Sequence, residues 1–326
     1  MEDISLVSVI LPTYNRAKLL PRAISSVLDQ TYPYWELIIW DDGSTDNTGE
    51  IVRSYHDSRI RYFSGANHGA AYARNRASEV SQGIYMAFLD SDDEWINDKL
   101  AIQVDMLNAH INIDVLFGDF IDIQETTREK YRTFEQFANV MKLLDVDWVD
   151  DSLFIIKGGL LESITIEDFI ATDSVIIRRE LLEKIGFFNE TLRNLEDFEL
   201  WWRMGLAGFH FAYINKVCLT RYKPMGSLSS PSILSCENVK KGLDFCLQDA
   251  LSKGRKDLVP NLKNLYRNAW QNLILLYGSS GNGKEMLNAF FQATKYGFNL
   301  GSIRLLLEAI LDYKYVGKKR VGIIDL

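Results

Sequence analysis

Residues 84–93 read Ile84-Tyr85-Met86-Ala87-Phe88-Leu89-Asp90-Ser91-Asp92-Asp93, an apolar run followed directly by three carboxylates. An apolar run of this length is typical of a strand covered on both faces of a parallel sheet. Three carboxylates within four residues repel one another, so their grouping favours a shared divalent cation. The alternative is that Asp92 or Asp93 caps a helix that begins near Trp95.

The chain before residue 84 alternates apolar runs with amphipathic stretches. We predict strands at residues 7–11, 36–40, 60–63 and 84–89, with helices that include residues 19–28 and 70–80. This alternation is typical of a parallel sheet with helices on its faces. Ligands of such sheets bind beyond the carboxyl ends of the strands. Two further polar clusters lie at those ends, Pro12-Thr13-Tyr14-Asn15 and Asp41-Asp42-Gly43-Ser44.

The rest of the chain gives a weaker pattern. We predict strands at residues 115–120 and 174–177, and the stretch from residue 124 to 168 is loop-like. No strand signal persists after residue 235, where amphipathic stretches at residues 262–276 and 303–311 predict a C-terminal helical region. A change in composition places the boundary near residue 230.

Composition narrows the class of protein. Of the 326 residues, 47% are hydrophobic and 25% are charged, as in ordinary globular proteins. The net charge of -8 disfavours a nucleic-acid partner, because no overall basic field attracts phosphates. Three cysteines without C-x-x-C spacing predict reduced thiols. Because the sequence shows neither a signal peptide nor an apolar run of about 20 residues, we expect a cytoplasmic protein, at most peripheral to a membrane.

Single residues in these clusters have both a chemical and a structural interpretation. The Asp42 carboxylate can accept a hydrogen bond from the ring N–H of a nucleobase, although Asp-Gly is also a common turn. Arg74, on the helix at residues 70–80, suits contact with a phosphate or a base, or is a solvated charge. Asp197 lies in the first turn of a later helix, where acids favour the helix dipole whether or not they catalyse a reaction.

Taken together, these residues make the chain resemble family 2 of the glycosyltransferases over about its first 230 residues. The matching elements are Val7-Ser8-Val9-Ile10-Leu11-Pro12-Thr13-Tyr14-Asn15-Arg16, Ser26-Val27-Leu28-Asp29-Gln30-Thr31-Tyr32, Asp41-Asp42-Gly43-Ser44-Thr45-Asp46-Asn47-Thr48, Ala73-Arg74-Asn75, Leu89-Asp90-Ser91-Asp92-Asp93 and, more thinly, Ser174-Val175-Ile176-Ile177-Arg178-Arg179, Gly186-Phe187-Phe188 and Glu196-Asp197.

The resemblance implies a GT-A fold, which is a doubly wound α/β mixed sheet with helices on both faces, here followed by a C-terminal helical region. Residues 1–230 would form the GT-A domain, with a nucleotide-binding half at 1–113 and an acceptor half at 114–230, and residues 231–326 the helical region. It further implies an inverting glycosyltransferase of the hexosyltransferase type. Such an enzyme transfers a sugar from a nucleoside-diphosphate donor, with a UDP-sugar favoured, to a hydroxyl of a glycan or lipid-linked acceptor, and requires Mn²⁺ or Mg²⁺.

Carried over by position, the nucleotide-sugar site would comprise Pro12, Thr13, Tyr14, Asp42, Arg74, Asp90 and Ser91. Asp92 would bind the metal, and Asp197 would be the general base. Many family members carry a histidine after a Tyr-Arg pair, which reaches the metal or the diphosphate. Here the segment reads Arg221-Tyr222-Lys223-Pro224-Met225-Gly226-Ser227, so Lys223 is the candidate diphosphate contact.

Other interpretations stay open beside this one. A nucleotidyltransferase would also use carboxylates and a metal, but the glycine-rich phosphate loop expected early in its chain is missing. A binding protein that keeps the fold without the chemistry is favoured by the missing histidine and disfavoured by the full set of aspartates. The cluster Lys318-Lys319-Arg320 either contacts anionic lipid or is a solvated tail. A homo-oligomer is left open.

Overall fold

The computed structural model describes residues 5–124, 130–132, 137–223, 232–297 and 300–321. The chain forms two compact units, residues 1–225 and residues 226–326. The division of the first unit into a nucleotide-binding half and an acceptor half stays a prediction, as does the boundary at residue 230.

The first half of the first unit alternates strands and helices, as the apolar runs predict. Its strands are β1 (Val7–Thr13), β2 (Trp35–Asp41), β3 (Ile60–Ser64), β4 (Tyr85–Phe88) and β5 (Glu94–Trp95). Its helices are α1 (Leu20–Leu28), α2 (Thr48–Arg53), α3 (Ala70–Val80) and α4 (Lys99–Ala109).

The remainder of the first unit adds longer strands and short helices. The strands are β6 (Val115–Gln124), β7 (Lys130–Arg132), β8 (Asp145–Trp148), β9 (Leu153–Gly158), β10 (Ile176–Arg178) and β11 (Phe211–Lys223). The helices are α5 (Ala138–Met141), α6 (Leu160–Ile164), α7 (Arg179–Ile185) and α8 (Glu196–Leu206), and a 3₁₀ turn covers Thr172–Ser174.

All these strands join one mixed sheet with the order β3-β2-β1-β4-β10-β6-β11-β9-β8, in which β5 pairs with β11 and β7 with β6. The first four strands are parallel to one another, whereas β10 runs antiparallel to both β4 and β6. Strands β1, β2 and β4 are buried along nearly their whole length, because helices cover both faces of the sheet. The predicted GT-A architecture is confirmed.

The parallel register brings the polar clusters together. Thr13 pairs with Asp41 at the ends of β1 and β2, and the Asp42 N–H donates to the carbonyl of Thr13 at 2.8 Å. At the end of β4, the Leu89 N–H donates to the carbonyl of Ile10 on β1 at 3.0 Å. The acidic loop that follows Leu89 therefore begins at the same edge of the sheet as the Pro12 and Asp41 clusters.

Three features differ from the sequence prediction. The region around Trp95 is the short strand β5, and α4 begins only at Lys99 with Asp98 at its N-cap, so neither Asp92 nor Asp93 caps a helix. Strand β11 was not predicted. The stretch predicted as loop-like contains strands β7, β8 and β9 and two short helices among its described residues.

The second unit is helical, as predicted. Its helices are α9 (Ile233–Ser252), α10 (Val259–Ser279), α11 (Gly283–Lys295) and α12 (Leu300–Val321). The Ser232 hydroxyl caps α9 by accepting the Ser235 N–H at 3.0 Å. The core of this unit is built around Leu273, Met286 and Ala309, which come from three different helices. No helix in the described ranges is both long and apolar enough to cross a bilayer.

Candidate active site

The loops after β1 and β2 form one hydrogen-bonded cluster at the predicted nucleotide site. The Asp42 carboxylate accepts the backbone N–H groups of His68 and Gly69, at 2.9 and 2.7 Å. Asn15, in the left-handed region at φ 52, accepts the Thr45 N–H through its side chain at 2.8 Å. These bonds hold both loops and the start of α3 in fixed positions.

Two side chains of this cluster have capacity for a ligand. The Thr13 hydroxyl is buried and has no hydrogen-bond partner among the described residues, an arrangement that costs free energy unless a ligand or water completes it. Tyr14 is 45% exposed, so its ring is open to stack on a base. Pro12, two residues earlier in the chain, is buried. Asp42 uses one lone pair on each oxygen, which leaves capacity for a base N–H.

Arg74 lies on α3 and is only 5% exposed. Its Nη2 donates to Asp90 Oδ1 at 2.6 Å, and its Nη1 donates to Glu196 Oε1 at 2.8 Å. Its burial opposes the charge, but the surrounding carboxylates of Asp90, Glu196 and Asp197 outweigh that effect and raise the pKa of the guanidinium. The structure therefore places Arg74 between two acids, a position that its isolated appearance on a helix did not predict.

The acidic loop after β4 contains one exposed pair of acids and one buried acid. The side chains of Asp90 and Asp92 are 37% and 26% exposed, whereas Asp93 is 6% exposed and accepts the Tyr222 N–H at 3.0 Å. Burial, and then the Asp90 charge, raises the pKa of Asp92. Ser91 between them is buried.

Asp173, in the 3₁₀ turn, completes this acidic group and was not predicted from the sequence. Its Oδ1 accepts the backbone N–H of Asp90 at 3.1 Å, and its side chain is hydrogen-bonded to Asp93. Burial and the neighbouring carboxylates raise the pKa of Asp173 well above its usual range, and burial raises that of Asp93 to about 6. A charged residue within the apolar run from Phe169 to Ile177 was the available signal.

Two arginines of the first loop and helix approach Asp92. Arg16 Nη2 lies 3.6 Å from Asp92 Oδ2, and the Arg22 guanidinium donates to the Asp92 backbone carbonyl. Arg22 also stacks on the Tyr222 ring at 3.4 Å. Positive charge next to exposed carboxylates makes this edge of the sheet suitable for a ligand that carries both phosphate and a cation.

The acidic group suits a hard divalent cation. Carboxylate oxygens of Asp90, Asp93 and Asp173 lie within 4.8 Å of one another, and such oxygens are the ligands that Mg²⁺ and Mn²⁺ prefer. Asp92, the ligand predicted from the sequence, lies outside that cluster, but its side chain, like that of Asp90, is partly open to solvent. Carboxylates of Asp90 and Asp92, both partly open to solvent beside this cluster, therefore suit a cation that is shared with a diphosphate.

Asp197, the predicted general base, is connected to the acidic group through the 3₁₀ turn. The Thr172 hydroxyl donates to Asp197 Oδ2 at 2.8 Å, and the next residue, Asp173, holds the backbone of Asp90. Glu196 connects the same two regions through Arg74. Segments that are far apart in the sequence thus meet at one site.

A second acid lies beside Asp197. Asp168 keeps solvent-accessible surface, although protein atoms surround its carboxyl group. Its withdrawal from bulk water, and then the Asp197 charge, raises the pKa of its carboxyl to about 8. It lies in the stretch predicted as loop-like, where no motif or periodicity identified it as a candidate.

The structure describes only part of the segment in which many family members carry a histidine. Arg221 is held by Asp122, with Nε donating to Oδ1 at 2.9 Å, and it lies over the Phe120 ring at 4.1 Å. The backbone of Lys223 ends β11 beside Gln124. Its side chain, and residues 224–231, lie outside the described part of the chain, so the predicted diphosphate contact of Lys223 stays a prediction.

Comparisons with known sequences identify the family of this chain. The sequence profile of glycosyl transferase family 2 matches residues 8–186. Over 221 residues, the chain is 36% identical to the teichuronic acid biosynthesis glycosyltransferase TuaG of Bacillus subtilis. The aligned segment covers 67% of this chain and 79% of TuaG. The chain belongs to glycosyltransferase family 2 and is a glycosyltransferase, which decides against the nucleotidyltransferase interpretation.

A second relative aligns over fewer residues but with higher sequence identity. The UDP-Glc:alpha-D-GlcNAc-diphosphoundecaprenol beta-1,3-glucosyltransferase WfgD of Escherichia coli is 45% identical over 119 residues, which is 36% of this chain and 47% of WfgD. This chain therefore matches about half of the length of WfgD.

Solved structures share the fold at low sequence identity. Residues 1–349 of S. aureus TarS in complex with UDP superpose with a TM-score of 0.62 at 18% identity, over 97% of this chain and 91% of that one. The mannosyltransferase PcManGT from Pyrobaculum calidifontis, in complex with GDP-Man and Mn²⁺, gives a TM-score of 0.55 at 19% identity, over 93% and 78% of the two chains. These similarities support the GT-A fold of the mixed sheet in the first unit.

Proposed function

We propose that this protein is an inverting, divalent-metal-dependent glycosyltransferase that transfers a sugar from a nucleoside-diphosphate donor, with UDP favoured, to a hydroxyl of a glycan or lipid-linked acceptor. One observation carries the proposal. Asp197 is joined to the acidic loop of Asp90 and Asp92 through Thr172 and Asp173. A carboxylate able to accept a proton and carboxylates able to hold a donor diphosphate therefore share one site.

Asp197 is suited to the role of general base. Inversion requires attack from the face of the sugar opposite the leaving diphosphate, so the base must come from a different segment than the acidic loop. Asp197 comes from α8 and has the Thr172 hydroxyl as donor to one oxygen. A carboxylate whose orientation is fixed in this way can take the proton of the acceptor hydroxyl as the new bond forms.

The departing diphosphate would lie at the acidic loop. A bound cation there would offset the negative charge that develops on the leaving group. Asp92 and the exposed carboxylate of Asp90 would hold it, and Arg16 provides positive charge beside them. Lys223 is a further candidate for this charge compensation.

The choice of UDP rests on the nucleotide cluster and on similar proteins. Asp42 offers acceptor atoms for the N–H of a uracil ring, and Tyr14 offers an exposed ring. TarS binds UDP, WfgD is named for a UDP-Glc donor, and PcManGT binds GDP-Man with Mn²⁺. WfgD acts on a diphosphoundecaprenol-linked acceptor and TuaG is named for teichuronic acid biosynthesis, which supports a lipid-linked or cell-surface glycan acceptor.

Calorimetric titration with UDP, dTDP and GDP, with and without Mn²⁺, tests the donor class and the metal role. We expect one nucleotide, UDP, to bind measurably more tightly with Mn²⁺, and Asp92→Asn to lose at least about tenfold of that metal-dependent gain. Asp105→Asn, an exposed acid on α4, is the matched control and is expected to bind as the wild type does.

The same titration can overturn the proposal. Absence of nucleotide binding by the wild type, with or without Mn²⁺, would favour a protein that keeps the fold without the chemistry. Binding that is tight and independent of Mn²⁺ would remove the metal role alone. Product analysis by NMR, in which the anomeric coupling of the new linkage is compared with that of the donor, tests inversion separately.

A further inference from the structure

Six residues of the candidate site form a closed ring of hydrogen bonds and covalent links. Asp90 pairs with Arg74, and Arg74 pairs with Glu196, which is followed in the chain by Asp197. Asp197 accepts from Thr172, and Thr172 is followed by Asp173, which accepts the Asp90 N–H. The donor side and the base side of the site are therefore joined twice.

One link of this ring includes a backbone conformation that is unfavourable on its own. Leu195, the N-cap of α8, has φ 68, in the left-handed region, which costs a branched side chain on the order of 1 kcal/mol. Glu196 follows at the first helical position. Because the Leu195 backbone is strained in this conformation, the direction of the first turn of α8 depends on the contacts that hold that turn in place.

Helix α3 supplies several of those contacts. Asn75 donates through its Nδ2 to the Phe188 carbonyl at 2.8 Å and accepts the Phe188 N–H at 3.0 Å. Arg76 Nη2 lies 3.2 Å from Glu190 Oε1. Together with the Arg74 pair, three consecutive residues of α3 hold the segment that leads into α8.

The charge content of the ring does not suit a purely structural role. A buried ion pair is often no more stable than a well-packed apolar pair of similar volume. The Glu196 side chain is 12% exposed and pairs with Arg74, and burial raises the pKa of its carboxyl, so its position carries a desolvation cost. Retaining such groups is reasonable where precise placement of neighbouring functional groups is needed.

We propose that Glu196 and Thr172 are positioning residues that hold the carboxylate of Asp197 in place relative to Asp90, Thr172 by its hydrogen bond to that carboxylate and Glu196 through Arg74. The inference rests on the proposed role of Asp197 as general base. Neither residue would contact the donor. Their loss should therefore lower the rate of the chemical step and leave donor binding unchanged.

The Thr172 side of the ring is tested with an isosteric pair. Thr172→Val keeps the shape and removes the donor to Asp197, and we expect kcat to fall about ten- to a hundredfold with the donor KM within about threefold of the wild type. Thr172→Ser keeps the hydroxyl and should restore most of that loss. A role in packing alone predicts the opposite order, because serine loses the buried methyl group and valine does not.

The Glu196 side is tested with Glu196→Met, which keeps the length and removes the acceptor, and with Glu196→Gln, which keeps one acceptor oxygen. We expect a kcat loss of about ten- to a hundredfold for methionine, a smaller loss for glutamine, and a UDP dissociation constant within about threefold of the wild type for both. Glu183→Met is the matched control, since Glu183 is an exposed partner of Arg179 on α7, outside the ring.

The outcomes separate this inference from the proposed function. If Asp197→Asn abolishes transfer while Thr172→Val and Glu196→Met leave kcat within about threefold, the ring does not position the base. If those variants weaken UDP binding as much as they slow transfer, they act on the donor site instead. If the wild type transfers no sugar, or Asp197→Asn remains active, the assignment of the base itself fails. Melting temperatures of all variants exclude simple unfolding.

Discussion

Lys99 is a buried amine at the first position of α4, directly after the acidic loop and strand β5. It is 1% exposed, its Nζ donates to Gln103 Oε1 at 2.7 Å, and it lies 4.1 Å from the centre of the Trp95 ring. Described residues provide no carboxylate within ion-pair distance of it. Burial lowers the pKa of Lys99 to about 8, because desolvation disfavours the charged form.

This shift predicts a specific dependence of stability on pH. Between about pH 8 and 10.4 the unfolded chain keeps the Lys99 proton while the folded chain loses it, so the free energy of unfolding rises with pH in that window. Relative to Lys99→Met, wild-type stability should increase by about 1–2 kcal/mol between about pH 7.5 and 9.5. Urea unfolding of both proteins at each pH measures the difference.

The comparison with Lys99→Met is necessary because Cys218 titrates in the opposite sense. Burial raises the pKa of that thiol to about 11, so its contribution to stability is present at low pH and is lost as the pH rises toward 11. Both proteins contain Cys218, so the part of its contribution that comes from burial, the largest cause of the shift, is common to both and cancels in the difference. A difference that stays flat or falls with rising pH would mean that Lys99 is protonated in the folded protein over this range.

Some residues of the site could be identified from the sequence and others could not. Asp90, Asp92 and Asp42 follow directly after apolar runs, so strand topology alone predicts that they lie at one edge of the sheet. Asp173 and Thr172 are brought to that edge by β10, which runs antiparallel between β4 and β6. Local sequence does not encode such pairing, because it depends on strands that are many residues away.

The same reasoning explains which elements were predicted. Strands β1, β2 and β4 are continuous apolar runs, and the structure confirms them to within one or two residues. Strand β11 carries Asn215 and Lys216 in its centre and has irregular register against β6 at this point. This segment is a strand because it pairs with strands on both sides, and not because its side chains alternate between apolar and polar. No periodic signal in the sequence therefore predicts it.

Close packing between two helices determines the geometry of the second unit. Helices α10 and α12 approach each other closely at Gly278, where an added Cβ would lie 2.7 Å from the Ala309 Cβ and 2.8 Å from the Ala309 carbonyl oxygen. Real side chains do not tolerate such distances, so any larger residue must push the helices apart. The absence of a side chain at position 278 is therefore a requirement of this contact.

Gly278→Ala should destabilise the second unit by about 1–3 kcal/mol, even though alanine favours a helix by about 1 kcal/mol over glycine. Ser279→Ala, at the exposed neighbouring position, gains helix propensity without the clash and should be neutral or stabilising. Adding Ala309→Gly to Gly278→Ala should recover part of the loss. Hydrogen exchange of the α10 and α12 amides measures the effect, and a more stable Gly278→Ala protein would show that the helices are not in close contact there.

Charge is divided unequally between the two units. Residues 1–225 contain 22 basic and 36 acidic side chains, a net charge of -14, whereas residues 226–326 contain 14 and 8, a net charge of +6. Each basic side chain near an anionic bilayer contributes about 1 kcal/mol of attraction. The helical unit is therefore the part of the molecule that an anionic membrane surface would attract, and the catalytic unit would be repelled.

The helical unit also exposes apolar side chains in pairs one helical turn apart. Leu287 and Phe291 on α11 are 45% and 61% exposed, and Leu307 and Leu311 on α12 are 57% and 66% exposed. Lys284 and Lys295 share the outer stripe of α11 with Phe291 by helical spacing. Apolar side chains bordered by lysines are typical of helices that lie in the interface of a membrane.

We therefore expect the protein to bind vesicles that contain about a third anionic phosphatidylglycerol, and not vesicles of phosphatidylcholine alone. Binding should fall at least about tenfold in about 0.5 M salt, where surface charges are screened. The double variant Leu287→Gln/Phe291→Gln should lose a comparable amount, because it removes the apolar side chains that insert. Ile111→Gln, which changes an 85% exposed side chain of the acidic unit, is the control and should bind normally.

Two further results of the same experiment would show what covers the exposed apolar side chains of α11 and α12. Co-sedimentation that is equal with neutral and anionic vesicles would contradict the electrostatic part of the argument. A concentration-dependent dimer that is lost in the Leu287→Gln/Phe291→Gln variant, without vesicle binding by the wild type, would show that the face is covered by a second copy of the chain. Membrane binding at the helical unit would instead hold the enzyme at the surface where a lipid-linked acceptor is found.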